Sequence, residues 1–193
     1  MHISRIIIGK PQALSLQAVN PYRWHQLLWE CFPGRPDADR DFLFRLDDRE
    51  REFCIQLLSA HGPAIPPWGS WSTRVFEPEF AGGGRYFFQL RANPTRRSSE
   101  TRALAPIVDE PELSDYLVAK AAAHGFRLLA APAISVPIVL KFRKNAQTIV
   151  LNQVDFAGVL EVTDPAALSE ALATGIGRAK AFGCGMLLLR KMS

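Results

Sequence analysis

The sequence predicts an α+β fold made of two tandem βαββαβ units, and three observations carry that expectation. A β-branched run, Ile3 to Ile8, opens the chain and is followed by a helix start at Asn20-Pro21. The same polar-cap-then-proline signal returns at Asp164-Pro165, again between strand-like segments. Between the two halves the composition turns polar and basic, from Asn93-Pro94 through Arg102.

Taken in order, His2 to Gly9 reads as a strand because β-branched residues suit a pleated, half-buried surface. Asn20 can cap free amides and Pro21 suits the first helical position, so a helix runs from there to about Cys31 and stops before Pro33-Gly34. Strands are expected over Phe42–Leu46 and Phe53–Ala60, and the Pro-, Gly- and Trp-rich stretch His61–Ser72 is expected to be irregular. A strand pair over Arg74–Phe80 and Arg85–Arg91 is expected, turned by Gly82-Gly83-Gly84. The second half offers a helix over Glu112–His124 ending at Gly125, then strands over Phe126–Ala130, Ile134–Phe142 and Thr148–Val162. Asp164-Pro165 opens a helix that stops at Gly175, and Cys184–Leu189 supplies a closing strand. Each half thus reads as strand, helix, strands, helical or irregular segment, strand: the ferredoxin-like, or RRM-like, order. The expected domains are 1–93, carrying Tyr22 and His25, and 111–193, carrying a glycine-rich loop, with 94–110 as linker.

Composition narrows the class. At 193 residues and 48% hydrophobic content, the chain can bury one core or two small ones. No run approaches the ~18–20 apolar residues of a membrane span; Phe126 to Leu140 is broken by Pro132, Ser135 and Pro137. The chain opens in a strand pattern rather than a signal-peptide pattern, so the cytoplasm is the expected compartment, with no membrane partner. Cys31, Cys54 and Cys184 are odd in number, widely spaced and in apolar surroundings, which reads as buried reduced thiols. Neither CxxC nor Cys/His zinc spacing occurs, so neither metal nor cofactor is expected.

Net charge is +4, and its distribution says more than its sum. Basic residues gather in loop-like places: Arg35, Arg40 and Arg45; Arg91, Arg96, Arg97 and Arg102; Lys141, Arg143 and Lys144; and Arg178 with Lys180. Such groups are either a solvated surface or contacts to a polyanion.

Tyr22 and His25 are three residues apart at a helix start and share one face, which Trp29 and Phe32 continue; Trp24, Leu28 and Cys31 form the neighbouring apolar stripe. Free amides and the positive end of the helix dipole favour an anion there. An imidazole beside a phenol suits RNA cleavage by the RNA's own 2′-hydroxyl, which requires in-line geometry, a moved proton and a stabilised pentacoordinate phosphorus. Histidine titrates near neutrality; tyrosine, with an ordinary pKa near ~10, is better suited to orienting than to accepting protons. The bland reading of the pair is packing and capping. His2, His61 and His124 show no partner pattern.

The segment GIGRAKAFGCG, Gly175 to Gly185, is neither a Walker loop nor a dinucleotide fingerprint. A helix C-cap explains Gly175 alone. Four glycines (Gly175, Gly177, Gly183 and Gly185) beside Arg178 and Lys180 fit a backbone that approaches phosphates closely.

Five segments resemble the CRISPR-associated endoribonucleases of type I-E systems, the CasE or Cse3 family of the RAMP superfamily. They are ISRIIIG, YRWHQLLWECFPGRPDADRDFLFR, FFQLRANP, FAGVLEVTDP and GIGRAKAFGCGMLLL, in order along nearly the whole chain. The resemblance implies two ferredoxin-like domains, metal-independent cleavage of repeat transcripts beside a stem-loop, and 2′,3′-cyclic phosphate and 5′-hydroxyl ends. It implies as partners the CRISPR repeat stem-loop RNA, retained as crRNA, and other Cascade subunits. It puts the active-site tyrosine and histidine on Tyr22 and His25, the glycine-rich loop on Gly175–Gly185, and a groove-inserting basic hairpin near Lys141–Gln147. The stretch from Pro94 to Pro106 is shorter than in other members. That departure weighs against carrying the family's contacts over to Arg96, Arg97 and Arg102; the candidate RNA contacts are Arg35, Arg40, Arg96, Arg97, Lys141, Arg143, Lys144, Gly175, Gly177, Arg178, Lys180 and Gly183. Two rival readings are a non-catalytic subunit that holds a hairpin and a small-molecule phosphate enzyme built on the glycine loop.

Overall fold

Two of the four isoleucines of the first strand are buried on one face, as strand alternation dictates. In β1 (His2–Gly9), Ile6 and Ile8 are buried on one face with Ser4, whose hydroxyl lies 2.8 Å from that of Thr73. The structure is a computed structural model and describes residues 1–34, 41–98, 103–144 and 146–192. Helices α1 (Lys10–Ser15) and α2 (Pro21–Trp29) follow, then β2 (Phe42–Asp48), β3 (Glu52–Ser59) and β4 (Ser70–Val75). These strands form an antiparallel sheet in the order β2-β3-β1-β4, with Ile6 opposite both Ile55 and Trp71. That order belongs to the ferredoxin-like unit, in which the helical crossover puts the first strand at the centre.

Sequence logic and structure agree closely at α2. Asn20 Oδ1 accepts from the Arg23 amide at 2.9 Å and Pro21 stands in the first turn. Trp24, Leu27 and Leu28 then bury against Ile6, Ile8, Phe44, Ile55 and Leu57. Burying a side chain of this size contributes on the order of 1.5–3 kcal/mol. The second crossover of this unit is the irregular stretch 60–69, as its composition indicates, closed by Trp71 Nε1 donating to the Trp68 carbonyl at 2.8 Å. Sequence reasoning missed helix α1; its signal was Pro11 in the first turn, two residues after Gly9.

The second unit repeats the order. It contains β5 (Arg85–Ala92), the hairpin β6 (Thr95–Arg97) and β7 (Leu104–Pro106), α3 (Glu110–Ala123), β8 (Phe126–Leu128) and β9 (Ala133–Ile134). β10 (Ile138–Lys144), β11 (Gln147–Val162), α4 (Pro165–Thr174) and β12 (Leu187–Lys191) complete it. The sheet runs β10-β11-β5-β12, with β8 and β9 also on β11. Tyr86, Phe88, Leu90 and Phe156 pack under Leu113, Leu117, Leu168 and Leu172 of the two helices. The expected cap is present: Asp164 Oδ1 accepts from the amides of Ala166 and Ala167 at 2.9 and 3.1 Å.

One expectation is corrected, and the placing of the domain boundary is revised as a proposal. The hairpin turned by Gly82-Gly83-Gly84 does not form: β4 pairs with β1, whereas β5 pairs with β11 and β12 in the other sheet. Period-two alternation in 85–92 fits either sheet, and the glycines let the chain cross between units instead of turning back. The stretch 94–110, expected as linker, holds the β6–β7 hairpin and buries Ile107; Asn152 Nδ2 donates to the carbonyls of Pro94 and Ile107 at 3.0 and 2.8 Å. We propose that the boundary lies within 76–84 rather than after 93.

The units are packed and not merely tethered. Both faces of β2 are buried: Phe42 and Phe44 in the first core, Leu43 against the second. No helix among the described residues is long and apolar enough to cross a membrane.

Candidate functional site

Tyr22 and His25 sit one turn apart on α2, both half-buried, at the seam between the units. The His25 ring stacks on Phe42 (centroids 5.7 Å, 29°) and leans on Trp29 (5.8 Å, 55°), and Phe42 in turn stacks on Phe32 at 5.2 Å. An imidazole wedged between aromatic faces keeps one orientation. Tyr22 packs against a small apolar cluster of the second unit, Phe142, Leu151 and Cys184, which Leu140, Ile149, Ala179 and Phe182 also border. Phe142 and Phe182 meet edge to face at 5.1 Å.

Strand alternation explains why β10 serves this spot. Leu140, Phe142 and Lys144 share one face, and Lys144 places its Nζ 5.7 Å from the Tyr22 ring centroid. Lys141 and Arg143 are exposed on the opposite face of the same hairpin. The hairpin thus carries cations on both faces and apolar anchors on one.

The glycine-rich segment packs the two units against each other. Gly175, Gly177, Gly183 and Gly185 all have φ between 80 and 90°, and Ala179 adopts the left-handed region at φ 61°. The loop is closed by Ile176 N donating to Gly185 O at 2.8 Å and turns through a short 3₁₀ segment, Lys180–Phe182. Gly175 and Gly183 are buried against β2: a Cβ on Gly175 would lie 2.8 Å from Leu43 Cδ2, and one on Gly183 3.2 Å from Phe44 Cε2. The Gly175 amide is already given to Ala171 O at 2.8 Å. These glycines bring the loop close to the first unit, so their absent side chains serve packing. Exposed Arg178, half-buried Gly177 and half-buried Lys180 lie where the loop turns beside the group that holds Tyr22.

The amides at the start of α2 offer less than expected. Pro21 has no N–H, Arg23 N is taken by Asn20 Oδ1, and Trp24 N bonds Asn20 O at 3.2 Å. An anion near Tyr22 therefore meets the dipole and side-chain cations rather than a row of free donors. A cleft of about 520 Å³ opens beside this helix start, between Pro21, Trp24 and Phe53 on one side and Lys141, Phe142 and Phe182 on the other.

The remaining candidates scatter. On the β6–β7 hairpin Arg97 is exposed and Arg96 is paired with the Glu112 carboxylate of α3. Arg35 and Arg40 lie outside the described residues. Arg45 and Arg91, grouped above with loop cations, are strand residues whose side chains are 9% and 11% exposed and ion-paired. His61 pairs with Asp41 at 2.8 Å, and His124, at the end of α3, is held below the usual imidazole pKa by burial and then by Lys120. All three cysteines are buried. Among the described residues no group of three or more His, Cys, Asp and Glu is arranged to hold a metal ion. Sequence reasoning missed Phe42, Phe142 and Phe182; the alternation Leu140-Lys141-Phe142-Arg143-Lys144 was the available signal for the second.

Comparisons with known proteins agree along the whole chain. A family model described as CRISPR associated protein matches residues 1–191. Cascade subunit CasE of Escherichia coli (strain K12) is 32% identical over 203 residues, covering 98% of each chain. The structure of Thermus thermophilus Cse3 bound to an RNA representing a pre-cleavage complex matches with TM-score 0.87 at 25% identity, covering 98% of both chains. The crystal structure of Cas6e from E. coli K-12 matches with TM-score 0.78 at 28% identity over 100% of both.

Proposed function

This chain belongs to the CRISPR associated protein family, and we propose that within it the protein is an endoribonuclease that cuts CRISPR repeat transcripts at the base of a stem-loop. It works without metal in the cytoplasm, keeps the mature guide RNA, and joins other subunits of a Cascade complex. The observation that carries this reading is the placement of Tyr22 and His25 together at a cation-rimmed seam, half-buried and not sealed in either core.

In the proposed reaction the 2′-oxygen upstream of the scissile bond attacks phosphorus while the bond to the 5′-oxygen breaks. The products are a 2′,3′-cyclic phosphate and a 5′-hydroxyl; one proton leaves the 2′-hydroxyl and one arrives on the 5′-oxygen. His25, fixed by Phe42 and Trp29, is placed to move a proton, and positioned acid–base catalysis of this kind is worth roughly 10²–10⁴ in rate. Tyr22 orients a phosphate oxygen by hydrogen bonding, and Lys144 beside its ring offsets the charge that develops at phosphorus. Lys141, Arg143, Arg178 and Lys180 hold the RNA backbone on either side, which accounts for basic residues on a hairpin and a loop that meet at one helix.

The test is incubation with end-labelled repeat RNA in excess chelator, followed by end-group analysis. Cyclic phosphate and 5′-hydroxyl ends are expected. A strict magnesium requirement, or 5′-phosphate products, overturns the mechanism. Tight hairpin binding with no cutting leaves a holding subunit instead.

A further inference from the structure

We propose that Arg91, with Asp155, Asp47 and Arg45, is a positioning device that fixes the Tyr22–His25 helix against the glycine-rich loop. This rests on the nuclease reading above. The four residues come from three strands in two units: Arg45 and Asp47 on β2, Arg91 on β5, Asp155 on β11.

Arg91 is the hub. Its guanidinium grips Asp155 with two bonds of 2.8 Å, reaches Asp47 at 3.1 Å, and donates to the Leu46 carbonyl. Arg45 closes the circuit, with Nε on Asp47 at 3.0 Å and Nη2 on Asp155 at 3.3 Å. The same Arg91 works through its main chain: its carbonyl accepts from Gly185 N at 2.7 Å, and Gly185 O accepts from Ile176 N, which closes the glycine-rich loop. One residue therefore holds β2 of the first unit with its side chain and the loop of the second with its backbone.

What hangs on each end is the site. β2 carries Phe42, on which His25 stacks; the loop carries Cys184, part of the apolar cluster against which Tyr22 packs. Leu43 and Leu58 also cross the seam, but apolar contact resists separation without choosing a direction. A bidentate Arg–carboxylate fork is directional, so it fixes how the surfaces register. The need is local as well, because the cleft beside α2, lined partly by Arg91, leaves the seam open on that side. A shift of about 1 Å between reacting groups costs on the order of 10²-fold in rate.

The experiment uses the full chain with spin labels on Leu14→Cys and Val118→Cys. Both positions are exposed, one in each unit, and the three native cysteines are buried. Asp155→Asn is compared with wild type, and Asp47→Asn, which accepts one bond from Arg91 where Asp155 accepts two, stands in should the first not fold. The expected result is a broadened inter-label distance distribution. Single-turnover cleavage of repeat RNA falls about 10- to 100-fold, hairpin affinity stays within threefold, and Asp155→Glu recovers most of the rate. An unchanged distance distribution in a folded variant overturns the proposal, as does equal loss of cutting, binding and melting temperature. If the wild type does not cut repeat RNA, the nuclease reading falls, and the distance measurement still decides whether the cluster sets the register.

Discussion

Lys144 reaches across from the second unit to stand 5.7 Å from the centre of the Tyr22 ring in the first. Neither residue has chemistry alone at that point: the phenol supplies an orienting hydroxyl and the ammonium supplies charge. In the proposed mechanism their meeting, with His25 one turn further along α2, is what would hold and cut a phosphodiester at the seam.

His25→Ala is expected to abolish cleavage of repeat RNA, a loss of roughly 10²–10⁴, while hairpin binding stays within a few-fold. Single-turnover rates and gel-shift affinities on one preparation check this. Full residual cleavage removes His25 from the mechanism.

Tyr22→Phe keeps the ring that packs against the cluster of Phe142, Leu151 and Cys184 and removes only the hydroxyl. Cutting should slow more than binding weakens. Equal losses in both would mark the tyrosine as structural.

Lys144→Ala is expected to weaken hairpin binding and to lower the slope of log affinity against log salt by about one unit. Titrations over a range of salt concentrations measure that slope. An unaltered slope means Lys144 touches no phosphate.

Gly175→Ala should destabilise the fold by roughly 1–3 kcal/mol, because a left-handed backbone and a close contact combine. The new Cβ would meet Leu43 Cδ2 at 2.8 Å. Gly34→Ala is the control, since Gly34 has φ 79° but nothing within 4 Å of the added atom. Urea melts should show the first variant clearly less stable than the second.

Asp155 supplies a pH prediction. Burial alone would raise its pKa, but the hydrogen bond from Arg91 and the charges of Arg91 and Arg45 outweigh it and hold the carboxyl below the usual range. A depressed folded pKa contributes stability above the ordinary carboxyl value of about 3.9 and loses it as pH falls through the folded value. Wild type should therefore exceed Asp155→Asn in stability from neutral pH down to about pH 4, and the gap should close below that. A gap that persists in strong acid contradicts the assignment.

The sequence by itself determined what local chemistry governs. Asn20-Pro21 and Asp164-Pro165 start helices because a capping oxygen and a fixed φ act within four residues, and the caps are where they were expected. The one-turn spacing of Tyr22 and His25 follows from helical periodicity alone. Tertiary structure decided the rest. Alternation in 85–92 is the same for either sheet, so only long-range pairing could put β5 between β11 and β12. Arg45 and Arg91 read as loop cations until Asp47 and Asp155, one of them distant in sequence, were brought to them. The glycines of 175–185 suggested an open phosphate cradle, yet two of them are closed against Leu43 and Phe44, because what an absent Cβ makes room for depends on which surface folds onto it.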